Sequence, residues 1–318
     1  MAAAIETDDL TKDFLVGFWR PRPYPALQGL NMQVEPGEVF GFLGPNGAGK
    51  STTIKLLMQL IFPTRGHARI FGRPPGDVQM RRRIGYLAEN PYFYDYLTAE
   101  EVLTYFAKLY GVASGDVKPR VSRLLDEVGI GHERRLKLRQ FSKGMLQRVG
   151  LAQALVGEPE LVILDEPMSG LDPLGRREVR DLILKLRAQG TTVFFSSHIL
   201  SDAEALCSRV GIMAQGRMVA SGRVNDLVAF ELKGWDVVVA GVSDSLRDDL
   251  TTRVRSVVAL APGRYTIDLA PDIKPEPFLA ELSSRGATVE SLLPVRDTLE
   301  DFFLRQVKNA ETRHEAGL

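Results

Sequence analysis

The chain has 318 residues, with 40 Lys and Arg balanced by 40 Asp and Glu, and 44% of it is hydrophobic. That length exceeds one typical core and favours a large domain plus a smaller one. Zero formal net charge supplies no global field toward DNA, RNA or anionic lipid, so any such partner has to be met through a local patch. The single cysteine, Cys207, excludes an internal disulfide framework and a cysteine-based zinc site, and it fits a reducing compartment.

Along the chain, the first ten residues, MAAAIETDDL, are acidic where a secretory leader is basic, and no apolar run reaches the roughly 18 residues of a membrane span. From Ile5 to about Ala220, strand-like and helix-like patterns alternate, as in a layered α/β domain. Residues 39–43 (VFGFL) read as a buried strand, and residues 52–60 as a helix with Ile54, Leu57 and Met58 on one face and a stop at Pro63. A helical stretch covers residues 98–157, opened by a capping box of Thr98 and Glu101. Within it, Met145, Val149, Ala152 and Val156 recur at helical spacing. Strand character returns at residues 161–164, 191–195, 210–213 and 218–220, and this alternation favours a mostly parallel sheet. Beyond Phe230 the pattern changes to strands at 236–240 and 264–269, a helix at 277–284, and a final helix at 298–307 with Leu299, Phe302, Phe303 and Val307 on one face. The expected organisation is a domain over residues 1–231, a small αβ accessory domain over 232–310, and a tail at 311–318.

Two segments carry chemistry. Gly44 to Ser51 reads GPNGAGKS, which matches G-x-x-x-x-G-K-[ST] between an expected strand and an expected helix. Glycines at this spacing let successive backbone N–H groups turn inward around phosphate oxygens, and the following helix N-terminus adds partial positive charge. Lys50 is expected to reach the β and γ phosphates, and the Ser51 hydroxyl to ligate Mg²⁺. The second segment, LVILDE, is an apolar strand ending in Asp165 and Glu166, where open α/β sheets place their ligands. Asp165 is expected to hold Mg²⁺, directly or through water, and Glu166 to polarise the attacking water.

With those two segments in place, the chain resembles the nucleotide-binding subunits of ATP-binding cassette (ABC) transporters. Residues 5–230 carry the family's motifs in order: the phosphate loop, FSKGM at 141–145 as the signature, Asp165 and Glu166, SGLD at 169–172 as the D-loop, and His198 in FFSSHIL as the switch histidine. The resemblance implies an α/β P-loop NTPase cassette, with a RecA-like core, an antiparallel β subdomain and a helical subdomain at about 97–157. It implies ATP and Mg²⁺ as cofactors, with Gly44, Pro45, Asn46, Gly47, Ala48, Gly49, Lys50, Ser51 and Thr52 around the phosphates. Ser51, Glu89 and Asp165 would serve the metal, and Glu166 and His198 the catalysis. Phe14 is favoured for stacking on adenine, with Phe18, Trp19 and Tyr24 as rivals. A head-to-tail dimer with a second ABC subunit, expected to be identical, would bring Ser142, Lys143, Gly144, Met145 and Asp172 to the partner's ATP. The chain departs from the common pattern at Lys143 and Met145 (usually glycine and glutamine), at Glu89 (usually glutamine), and in a longer segment between Phe14 and Leu27.

Tyr92, Phe93 and Tyr94, with Tyr96 beside them, form an aromatic cluster after Glu89, where the family receives a helix of a transmembrane permease subunit. KGM in the signature, a C-terminal αβ extension and TLEDFFL are similar to the ABC-2 type exporter group. This implies a cytoplasmic protein, peripheral on the cytoplasmic face of the cell membrane, with no nucleic-acid partner. The alternatives are an importer subunit, a non-transport ABC ATPase acting on ribosomes or nucleic acid, and a small-molecule kinase. The last would have no need of the signature and D-loop.

Overall fold

A computed structural model describes residues 2–17, 19–227, 232–296 and 298–306. The described chain falls into two compact units, one running to Val224 and joined by residues from Phe303, the other Asn225–Phe302.

In the first unit, β1 (Ile5–Val16) and β2 (Arg22–Val34) form a long antiparallel hairpin. The extra length noted between Phe14 and Leu27 builds its outer end, where Phe14 faces Tyr24 and Val16 faces Arg22. β3 (Val39–Leu43) is buried at every position, as a strand covered on both faces requires. It runs through the phosphate loop into α1 (Lys50–Leu57), which starts two residues earlier than expected because Gly49 is its N-cap. β4 (Arg65–Ile70) pairs with the other side of β1 to complete a three-stranded antiparallel sheet. The short α2 (Val78–Arg81), capped by Asp77, leads to β5 (Ile84–Leu87).

The expected helical stretch divides into α3 (Ala99–Leu109), α4 (Ser114–Glu127) and α5 (Lys143–Leu155). Thr98 and Glu101 do form the reciprocal capping box on α3, and the Ser142 side chain caps α5. Then follow β6 (Leu161–Leu164), α6 (Pro173–Ala188), β7 (Thr192–Ser197), α7 (Leu200–Leu206), β8 (Arg209–Ala214), β9 (Arg217–Arg223) and a turn of helix, α8 (Val224–Leu227). The six-stranded sheet has the order β5-β6-β7-β3-β8-β9, parallel except for the last pair. Phe40 stacks on Phe194 across β3 and β7, with ring centroids 5.9 Å apart. The parallel pairing sets the C-terminal ends of β6, β7 and β3 side by side, and each leads directly into a segment that carries polar chemistry.

The second unit is a four-stranded antiparallel sheet, order β11-β12-β10-β13, built from β10 (Leu232–Ala240), α9 (Asp244–Arg253), β11 (Ser256–Ala261), β12 (Arg264–Leu269), α10 (Pro275–Ser284) and β13 (Thr288–Arg296). It has its own core, in which Val237, Val239 and Ile267 of the sheet meet Leu246, Leu250, Phe278 and Leu282 of the helices. The pattern reading found β10, β12 and α10 but missed the other three elements, each for a physical reason. β11 is an almost fully exposed edge, and α9 buries only two leucines. β13 contains Pro294, which only an edge strand tolerates. A helix covers 299–306; Val307, residues 308–310 and the expected tail lie outside the described residues.

Backbone proximity fixes how α5 sits on β5. A Cβ added at Gly85 would lie 2.0 Å from the carbonyl oxygen of Ala154 and 3.0 Å from Pro159, so alanine there forces two backbones apart. Gly85→Ala should lower stability by about 2 kcal/mol or more, read as a lower midpoint in thermal or denaturant unfolding. An unchanged midpoint would contradict the packing.

Candidate functional site

β3 ends at Leu43 and the chain turns through GPNGAGKS into α1. Gly47 and Gly49 hold φ values of 80° and 100°, and a Cβ on Gly49 would come 2.7 Å from the Ala26 carbonyl oxygen. Only glycine fits this turn without strain. Lys50 is 6% exposed. Its ammonium donates to the carbonyls of Gly44 at 2.7 Å and Pro45 at 3.3 Å and lies 3.3 Å from Oε1 of Glu166. These acceptors match the three protons an ammonium carries.

β6, apolar and buried throughout, delivers Asp165 and Glu166 to the same place, and both carboxylates are buried. Oδ1 of Asp165 accepts from Ser51 Oγ at 3.3 Å and from Ser196 Oγ at 2.6 Å. Glu166 has φ of 49°, in the left-handed region where a non-glycine residue is strained. Its Oε2 lies 2.8 Å from Nδ1 of His198, and since a carboxylate only accepts, the ring proton of that contact sits on Nδ1. His198 itself is 45% exposed, so it links the buried carboxylate to the surface. Burial, and then the charge of Asp165, push Tyr86 up to about 12, which keeps this neighbour protonated and neutral.

The loop, Phe14, Tyr24, Ala26, Glu89 and Glu166 line one cleft of about 380 Å³. Phe14 and Tyr24 stand opposite each other in the hairpin and both reach this cleft, while Lys12 Nζ sits 5.2 Å from the Phe14 ring centre. Trp19 is exposed and is not among the lining residues; Phe18 lies outside the described residues.

Ser142, Lys143, Gly144 and Met145 instead line a second groove, of about 540 Å³, with Gly170, Leu171 and Asp172. Ser142 Oγ accepts the Met145 N–H and caps α5, while Asp172 caps α6 by accepting the Gly175 N–H at 2.8 Å. Lys143 lies along the turn at Gly170, where an added Cβ would meet its Cδ and Cε at 3.2 Å. The two grooves share no lining residue. Tyr92 and Tyr94 are 88% and 62% exposed, Phe93 is half-buried, and the Tyr94 and Tyr96 rings stack with centres 5.5 Å apart.

The donor set beside the loop suits Mg²⁺. That ion takes one or two protein oxygens and completes its shell with water and phosphate, and Ser51 Oγ and Asp165 Oδ1 already converge, with Glu89 on the same cleft. Among the described residues no cluster of three or more His, Cys, Asp or Glu could hold a metal by itself. The ion would neutralise phosphate charge. Pattern reading missed two residues here. Ser196 is one, although it stands two places before His198. Gln147 is the other, and its amide donates to the Pro167 carbonyl at 3.2 Å and secures the turn after Glu166.

A carboxylate held between an ammonium and an imidazole can polarise water for attack on a phosphoryl group. Glu166→Gln should cut ATP hydrolysis by roughly 10²-fold or more, because only charge placement in the transition state is lost, while ATP affinity by equilibrium titration stays within a few-fold. Near-normal turnover would contradict that role.

The family profile described as ABC transporter matches residues 27–169. An ABC transporter ATP-binding protein of Synechocystis is 41% identical over 309 residues, covering 96% of this chain and 85% of that one. The bacitracin transport ATP-binding protein BcrA of Bacillus licheniformis is 43% identical over 222 residues, 69% of each chain. A solved ATP-binding subunit of an ABC transporter superposes with a TM-score of 0.63 at 34% identity, over 70% of this chain and 91% of that one. Similarity at this level across nearly the whole length, on a fold that presents the phosphate loop and the paired acids together, makes the chain a member of the ABC transporter ATP-binding family and an ATPase.

Proposed function

We propose that this ATPase is the motor subunit of an ABC-2 type exporter, in which a head-to-tail pair of copies closes over two ATP molecules and drives a separate membrane subunit. The observation that carries this reading is the separation of the two grooves. The phosphate loop, Glu89 and Glu166 line one, the signature and D-loop residues the other, which supports a second copy bringing its signature to the first copy's nucleotide. A helix N-terminus favours an anion, and Ser142 and Gly144 stand at the start of α5. Supplied in trans, that anion site makes closure depend on the γ-phosphate, and hydrolysis removes the bridge.

In this reading, Lys50 and the loop residues through Thr52 hold the phosphates, Ser51, Asp165 and Glu89 serve Mg²⁺, Glu166 polarises the water, and His198 orients Glu166. Phe14, with Tyr24 opposite it, meets the adenine. Lys143, Met145 and Asp172 flank the partner's nucleotide together with Ser142 and Gly144. Residues 232–310 act as an accessory domain. Among the described residues no helix is long and apolar enough to cross a membrane, which supports assigning the transport path to another polypeptide and this chain to the cytoplasmic face. The similarity to a bacitracin transport ATP-binding protein supports a role in transport.

Tyr92, Phe93 and Tyr94 are the proposed landing for a helix of that membrane subunit, since the exposed Tyr92 and Tyr94 and the half-buried Phe93 follow Glu89, which lines the phosphate-loop cleft, and aromatic anchors suit a helix-in-groove contact. Tyr92→Ala should weaken complex formation or partner-stimulated ATPase by about 1–3 kcal/mol, with basal ATP affinity and melting temperature unchanged. A fall in melting temperature and basal turnover together, with no selective effect on the partner, would assign the rings to subdomain packing instead.

A further inference from the structure

β6 and β7 run parallel, with Ile163 beside Phe194 and Leu164 beside Phe195. One step further, the two strands leave their apolar registers together, and Asp165 and Glu166 meet the run Ser196, Ser197, His198. Each residue of that run has a different job. Ser197 accepts the N–H of Ile199 at 2.9 Å, and its carbonyl accepts the N–H of Gly44 at 3.3 Å, so it joins the turn after β7 to the phosphate loop. His198 faces the carboxylate of Glu166. Ser196, fully buried, faces the acids from the other side: its hydroxyl donates to Asp165 Oδ1 at 2.6 Å and accepts the backbone N–H of Glu166 at 2.9 Å. A hydroxyl has one proton, and Asp165, a pure acceptor, takes it; the lone pairs are then turned to the Glu166 N–H.

That second bond falls on the strained residue. Glu166 occupies the left-handed region at φ 49°, and its N–H, buried between β6 and β7, has to find an acceptor. We propose that Ser196 is a positioning residue for hydrolysis: with its own proton given to Asp165, its hydroxyl oxygen holds Glu166 in its strained backbone so that the carboxylate points between Lys50 and His198. This rests on the assignment of Glu166 as the residue that activates water. An extended backbone at Glu166 would turn the side chain away from both partners, so loss of this one hydroxyl acts on catalysis without any contact to nucleotide. Phosphate binding depends on other groups, Lys50 and the loop, and is left in place.

The test is a double-mutant cycle on the full chain. Ser196→Ala should lower kcat by about 10- to 100-fold, the range of a lost positioning contact, with ATP affinity by equilibrium titration within about threefold. Ser196→Thr keeps the hydroxyl and should hold turnover within a few-fold of the unaltered chain, which also serves if the alanine variant fails to fold. In a Glu166→Gln background, Ser196→Ala should slow the residual rate no further, because a residue that acts through Glu166 has nothing left to position. Ser196→Ala turning over within about threefold of the unaltered chain would overturn the inference. So would a loss of ATP affinity matching the loss of rate, or an effect that adds in full to Glu166→Gln. Glu166→Gln measured alone separates the two claims, since its near-normal turnover would overturn the assignment of Glu166 whatever Ser196→Ala does.

Discussion

A buried ammonium and a buried carboxylate 3.3 Å apart, on Lys50 and Glu166, hold together the ends of β3 and β6, and Glu166 extends the link to His198 after β7. Breaking such a pair from one side is costly, on the order of 3–5 kcal/mol, because the remaining charge stays buried without its partner. The ammonium spends its remaining protons on the carbonyls of Gly44 and Pro45, so the pair is anchored to the phosphate loop as well.

The fold keeps this link local. β3, β6 and β7 are neighbours in one parallel sheet, and their buried apolar bodies, Phe40 and Phe194 stacked among them, give the polar ends a rigid base. The rigid strands explain how a strained residue such as Glu166 persists: its backbone is tied by Ser196 and the turn behind it by Gln147. His198 and Glu89 stand exposed at the edge of this base.

Much of this was legible in the residues because the chemistry sits in short contiguous motifs. GPNGAGKS is unusual enough to announce both the turn and its ligand, and LVIL before two acids announces a buried strand with a polar end. Where contacts join residues far apart in sequence, the pattern fell silent. Ser196 looks like any strand serine until β7 is laid beside β6, and Gln147 looks like an exposed helix residue until the loop after Glu166 folds over it. The second unit was harder still, since a solvated edge strand, a strand carrying Pro294 and a helix with two buried leucines lack the periodicities that burial on one full face imposes. Among the aromatic candidates proposed for adenine, Phe14 and Tyr24 share one side of the sheet and one cleft, a relation that depends on register and not on spacing.

In the proposed dimer each ATP is held by the phosphate loop of one copy and the signature of the other. The most direct measurement is the mass in solution, by analytical ultracentrifugation, of a Glu166→Gln chain with and without saturating ATP and Mg²⁺, beside a Glu166→Gln, Ser142→Arg chain under the same conditions. The first is expected to become a dimer only with ATP, while the second binds ATP and stays a monomer. A Glu166→Gln chain that remains a monomer at saturating ATP, or a Ser142→Arg chain that dimerises equally well, would contradict the proposed dimer.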